Sequence, residues 1–163
     1  MYLDKLKNIS TFIFDIDGVL TDGNIYVNDD GVFSRSTSVK DGYAIVKALK
    51  AGFNVVVISG GNAEGVKMRL QRLGVKDVFL HVKSKTDVLS TWLDENNVKA
   101  EACLMMGDDE PDYQIMQKVG FSCCPSDAVD CIKKKVDFVS PYPGGKRCVR
   151  HIIETRLKLS NHW

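Results

Sequence analysis

Thr11-Phe12-Ile13-Phe14-Asp15-Ile16-Asp17-Gly18-Val19 runs four β-branched or aromatic residues directly into two carboxylates and a glycine. A short run that does not alternate apolar with polar suits a strand covered on both faces, as strands of parallel sheets are. Four further runs of this kind follow at 54–58, 78–80, 102–106 and 121–123, with segments of helical period between them at 43–51, 63–73 and 86–96. Gly52 and Gly74 stand where the first two of these segments end, ready to take the left-handed conformation that closes a helix. Pro111 suits the first turn of another helix reaching Val119, with Gly120 as its stop, and a last helix is expected over 148–158. Strands alternating with helices predict an α/β fold with a parallel central sheet and crossover helices.

One segment interrupts the alternation. Residues 24–27 and 32–36 are extended-looking runs around Asn28-Asp29-Asp30-Gly31, a turn sequence, and so read as a β-hairpin inserted after the first strand. Such a hairpin is marginal alone in water and is expected to pack on the domain body or on another subunit.

The 163 residues suit one domain, 1–163, and neither a repeat nor a linker divides them. A net charge of +1 gives no overall field for nucleic acid or an anionic membrane, and Lys133-Lys134-Lys135 reads as a solvated helix end. No apolar run of membrane-spanning or signal-peptide length occurs, so a cytoplasmic protein is expected. The five cysteines, Cys103, Cys123, Cys124, Cys131 and Cys148, have neither zinc spacing nor an even count, and read as reduced thiols. Cys103 and the Cys123-Cys124 pair lie in apolar runs, where cysteine serves as a small hydrophobe.

Ligands of open parallel sheets bind beyond the carboxyl ends of the strands. The residues there are Asp15-Ile16-Asp17-Gly18 after the first strand, Ser59-Gly60-Gly61 after the second, and Gly107-Asp108-Asp109-Glu110-Pro111-Asp112 after the fourth, with Lys83 or Lys85 adding an ammonium. Clustered carboxylates repel one another unless a hard cation lies among them, and oxygen ligands of this kind suit Mg²⁺. A hydroxyl, glycine amides and a lysine are donors for phosphate oxygens. An aspartate can attack phosphorus to form an aspartyl-phosphate, and Asp17, two residues on, is placed to act as acid and then as base.

Asp15-Ile16-Asp17-Gly18-Val19-Leu20-Thr21-Asp22-Gly23 resembles the first motif of haloacid dehalogenase-type phosphatases, in the version carried by the small capless phosphatases of 3-deoxy-D-manno-octulosonate 8-phosphate (KDO 8-phosphate). Val39-Lys40-Asp41-Gly42-Tyr43, Ser59, Lys85, Gly107 to Asp112, and Gly144-Gly145 with Arg150 extend the resemblance over nearly the whole chain. It implies a three-layer Rossmann-like fold with helices on both sheet faces and no large cap domain. It further implies Asp15 as nucleophile, Asp17 as acid/base, and Mg²⁺ held by Asp15, the Asp17 main-chain carbonyl and Asp108. Ser59, Gly60 and Lys85 would hold the phosphoryl group, while Asp109 and Asp112 would orient metal ligands or Lys85. The implied substrate is a phosphorylated eight- or nine-carbon 2-keto-3-deoxy sugar acid; its carboxylate needs cationic partners, for which Arg69 and Arg150, beside Lys67 and Arg147, are candidates by position. The implied assembly is a homotetramer whose hairpins (24–36) and C-terminal tails (141–163) help to close neighbouring sites. Gly61 departs from the family pattern, which often has a charged residue there. A receiver-type phosphoacceptor is one competing reading, but it would carry its adjacent acidic pair at the first strand, where this chain has Asp-x-Asp-Gly; a catalytically silent partner subunit is another, against which the intact Asp15 and Asp17 argue.

Overall fold

The computed structural model describes residues 2–163. A short helix α1 (Tyr2–Leu6) precedes β1 (Thr11–Phe14), and the hairpin strands β2 (Tyr26–Val27) and β3 (Phe33–Ser34) precede α2 (Val39–Lys50). The alternation continues through β4 (Asn54–Ile58), α3 (Glu64–Arg72), β5 (Asp77–Phe79), α4 (Lys85–Asn96), β6 (Cys103–Met106), α5 (Tyr113–Met116), β7 (Phe121–Cys124), α6 (Asp130–Lys133), β8 (Phe138–Val139) and α7 (Cys148–Lys158).

The main sheet has the order β5-β4-β1-β6-β7-β8, with every pairing parallel. β1 therefore has β4 on one side and β6 on the other, so that Phe14 faces Val57 and Met106 across the ladders. From β1 the chain first builds outward through β4 and β5, then returns to build the opposite half from β6. The reversal opens a crevice at the carboxyl ends of β1 and β6, where Asp15 and Asp108 stand.

Side chains along each strand alternate between the sheet faces, and both faces are covered. Phe12, Phe14, Val55, Val57, Leu104 and Met106 pack against α2, α3 and α7, including Ile45, Leu70, Ile152 and Ile153. Ile13, Val56, Ile58 and Met105 pack on the other side against Leu89 and Trp92 of α4, Ile115 of α5 and Ile132 of α6. This two-sided burial is why the strand sequences are continuously apolar. The expected three-layer, Rossmann-like α/β architecture without a large cap is borne out.

Helix α2 begins at Val39, four residues before the expected start, because Ser38 caps it: its hydroxyl accepts from Asp41 N–H at 3.3 Å. The helix expected over 111–119 is shorter than its sequence suggested. Asp109 accepts from Glu110 N–H, starting a tight turn at Glu110–Asp112, and α5 then spans four residues. α1, α6 and β8 were not anticipated, being too short to leave a periodic pattern. Cys103, Cys123, Cys124 and Cys148 are buried free thiols, and burial pushes Cys103 and Cys124 up to about 11, away from thiolate chemistry. Among the described residues no helix is long and apolar enough to cross a membrane.

The tail belongs to its own domain. Asp41 of α2 is buried and accepts from Arg150 N–H at 2.7 Å and Arg147 N–H at 3.4 Å, capping a helix α7 whose own first residues supply no side-chain cap. The hairpin is the contrasting case, with Ile25, Tyr26, Val27, Val32 and Phe33 all exposed.

Candidate active site

Immediately after β1 the chain makes a wide turn over Ile16–Leu20, closed by Thr21 N–H donating to the Ile16 carbonyl at 3.1 Å. Gly18 has φ 86°, which a side chain would strain, and the Asp108 carboxylate fills the place where its Cβ would lie. The glycine thus lets a carboxylate from β6 lie against the loop from β1. The buried Thr21 hydroxyl accepts from Gly18 N–H at 3.3 Å and Gly23 N–H at 3.2 Å, fixing the turn from within. Gly144 and Gly145 press on this loop from behind. Gly145 N–H donates to the Val19 carbonyl at 2.9 Å, and a methyl on Gly144 would collide with the Gly18 carbonyl.

Asp15, Asp108 and Asp112 bring carboxylate oxygens within 4.8 Å of one another. Lys85, at the start of α4, bridges two of them, with Nζ 2.6 Å from Asp112 Oδ1 and 3.0 Å from Asp15 Oδ1. Asp112 Oδ2 accepts from Asp108 N–H at 3.0 Å, so both Asp112 oxygens are engaged and this buried residue serves as a brace. Burial, then the Asp112 charge, raises Asp15 to about 6 against the pull of Lys85. Burial, then Asp112 and Asp15, raises Asp108 to about 7. For Lys85 burial acts downward, but Asp112 and Asp15 outweigh it and hold the ammonium above its usual range. The cluster fits a hard divalent cation, which would relieve this repulsion with the oxygen ligands it prefers.

A cleft of about 490 Å³ opens over Asp15, lined by Asp17, Ser59, Gly60, Gly61, Lys83 and Lys85 among others. Ser59 ends β4 and is buried, with its hydroxyl accepting from Gly61 N–H at 3.2 Å. Of the two lysine candidates, Lys85 reaches the carboxylates and Lys83 stays exposed at the rim. Asp109 is exposed and spends its carboxylate on the cap at Glu110. Arg69 does not line this cleft but a groove of about 690 Å³ between α3 and the hairpin. Arg150 is not brought to the cleft within the protomer: it pairs with Glu154 at 3.1 Å and lies over the Tyr43 and Trp163 rings.

The sequence reading missed Arg35. Its Nε lies 2.7 Å from Asp17 Oδ1 and its Nη2 3.2 Å from Asp17 Oδ2, and Nη1 donates to the Asn62 carbonyl at 3.2 Å. The signal available was its singularity, since Arg35 is the one cation in the hairpin segment 24–36.

A family model described as haloacid dehalogenase-like hydrolase matches residues 24–120. The chain belongs to the haloacid dehalogenase-like hydrolases. It is 33% identical over 155 residues to the KDO 8-phosphate phosphatase of Salmonella typhi, covering 95% of this chain and 82% of that one. The solved KDO 8-phosphate phosphatase of Yersinia pestis superposes with a TM-score of 0.96 at 27% identity, covering 99% of this chain and 87% of the other. That of Moraxella catarrhalis, in complex with a magnesium ion, a phosphate ion and KDO, gives 0.94 at 26% identity, covering 98% and 92%. The haloacid dehalogenase reading of the motifs is thereby borne out, as is that of a phosphatase enzyme.

Removing the metal should expose the carboxylate repulsion. An acid whose folded-state pKa lies above its unfolded value costs stability as pH rises through the folded value, so metal-free protein should lose stability between about pH 4 and 7. We expect millimolar Mg²⁺ to raise the melting temperature by several degrees at pH 7.5 and by much less at pH 5, where the carboxyls take up protons in place of the cation. Equal Mg²⁺ shifts at the two pH values would contradict the assigned cluster.

Proposed function

We propose that this hydrolase is a Mg²⁺-dependent phosphomonoesterase working through an aspartyl-phosphate on Asp15, with KDO 8-phosphate as its substrate. Asp15, the Asp17 main-chain carbonyl and Asp108 would hold the Mg²⁺, which when bound offsets negative charge on the phosphoryl oxygens. An Asp15 oxygen attacks phosphorus, and the P–O bond to the sugar breaks with its electron pair going to the sugar oxygen, which Asp17 protonates. Asp17 then takes a proton from water as the water oxygen attacks the same phosphorus, and the second P–O bond breaks with its pair returning to Asp15. Ser59 and the Gly60 amide hold the phosphoryl oxygens, while Lys85, braced by Asp112, supplies a fixed positive charge beside the nucleophile.

The observation that carries this reading is the Asp15–Lys85–Asp112 bridge at the floor of the cleft, with Asp108 lying against Gly18. The match to KDO 8-phosphate phosphatases over 95% of the chain supports the sugar acid. The test is turnover of a panel of phosphorylated sugar acids and neutral sugar phosphates with Mg²⁺. Preference for KDO 8-phosphate supports the substrate; preference for a related nine-carbon acid moves it; preference for an uncharged hexose phosphate removes it and leaves the phosphatase standing.

The exposed hairpin supports a homotetramer. Val27 is 73% and Val32 61% exposed, in or beside two short strands whose described residues are all exposed within the protomer. Light scattering at micromolar concentration should give four times 18.2 kDa. A monomeric mass would refute the assembly. Residues 144–158 are bound into their own domain, so any cover they give a neighbouring site would be as part of a fixed surface.

A further inference from the structure

Arg35 directly follows β3 and folds back over the cleft, with only 7% of its side chain exposed. Its guanidinium takes both oxygens of Asp17 and reaches the Asn62 carbonyl, so Asp17 is turned toward the hairpin. An acid/base for the ester's leaving oxygen must face the substrate over Asp15. Both Asp17 oxygens are held by the fork, so one of them must come off it to carry a proton to the leaving oxygen.

The surroundings suggest what opens the fork. At Gly61 there is no side chain, and a Cβ placed there would lie 3.3 Å from Asp17 Oδ2 and 3.8 Å from Arg35 Nη2. The missing side chain leaves the Asp17–Arg35 pair accessible from the cleft that Gly61 lines. Arg35 itself lines the larger groove beyond, while Asp17 lines the cleft, so the pair joins the two spaces. A guanidinium this buried is costly to leave unpaired, and an incoming carboxylate can take the place of the first as its partner. A neutral sugar offers no such exchange.

Resting on the sugar-acid reading above, we infer that Arg35 is a specificity-determining residue that receives the substrate carboxylate and, in doing so, releases Asp17. The substrate's anionic end enters beside Gly61 and takes over the fork, and Asp17 turns to the leaving oxygen. An ester without a carboxylate leaves the Arg35–Asp17 pair closed, so discrimination operates on kcat as well as on KM.

The test compares wild type, Arg35→Met and Arg35→Lys on KDO 8-phosphate and on glucose 6-phosphate, with thermal melts to establish that each variant is folded. Arg35→Met should lower kcat/KM for the carboxylate ester and raise kcat for the neutral one, so that the ratio falls roughly ten- to a hundredfold, the range of a charge-assisted pair. Arg35→Lys, which keeps the charge but not the fork, should restore part of the ratio. Proportional loss on both esters, or an unchanged ratio in folded Arg35→Met, overturns the inference and leaves the substrate reading intact. A wild type that hydrolyses both esters without preferring the carboxylate overturns the two together.

Discussion

Asp15→Asn removes turnover while leaving the protein folded. The amide cannot carry the phosphoryl group, so the rate should fall below about one hundredth of wild type, the least expected for loss of a nucleophile. The fold should tolerate the change because Asp15 is an electrostatic burden without its cation. Its carboxyl is raised to about 6 by burial and by Asp112, and a neutral amide removes that repulsion. Lys85 keeps its 2.6 Å partner in Asp112. Metal-free Asp15→Asn should therefore melt no lower than metal-free wild type at neutral pH. A variant with more than one hundredth of the activity would refute the nucleophile, while one that is inactive only because it is unfolded would refute the electrostatic account.

Asp17→Asn should cost roughly 10²- to 10⁴-fold on KDO 8-phosphate, the usual worth of general acid–base catalysis. The loss should be smaller in phosphoryl transfer from p-nitrophenyl phosphate, whose leaving group departs without a proton. Nearly the same site geometry should survive, since the side-chain amide oxygen of the variant can still accept from Arg35. A loss under tenfold on the alkyl ester, or equal losses on both esters in single-turnover transfer, would remove Asp17 from the proton-transfer role.

The parts of this molecule that were legible from sequence are those whose physics is local. Continuous β-branched and aromatic runs announced strands covered twice, and the acidic residues directly after them announced the crevice, because a parallel sheet places all its carboxyl ends on one rim. Asp15, Asp108, Asp112, Ser59 and Lys85 could be named for that reason, and the structure brings them together. What escaped depends on contacts between distant segments. Nothing near Arg35 says that it will fold back 18 residues onto Asp17, and nothing near Gly144 says that its missing side chain makes room for the Gly18 carbonyl. Asp41 looked like part of a motif and proved to be the cap of a helix more than a hundred residues away. Arg150 was singled out for its charge, but its side chain turns along α7 to Glu154, within a helical i, i+4 pair, away from the cleft.

The account stands most directly on the covalent step. Wild-type enzyme mixed with Mg²⁺ and excess phosphate ester, quenched in acid within milliseconds, digested and analysed by mass spectrometry, should yield the peptide containing Thr11 to Val19 carrying one added phosphoryl group on Asp15, at a level that decays as substrate is exhausted. Full turnover with no phosphorylated peptide at any quench time, or with the group on another residue, would contradict it.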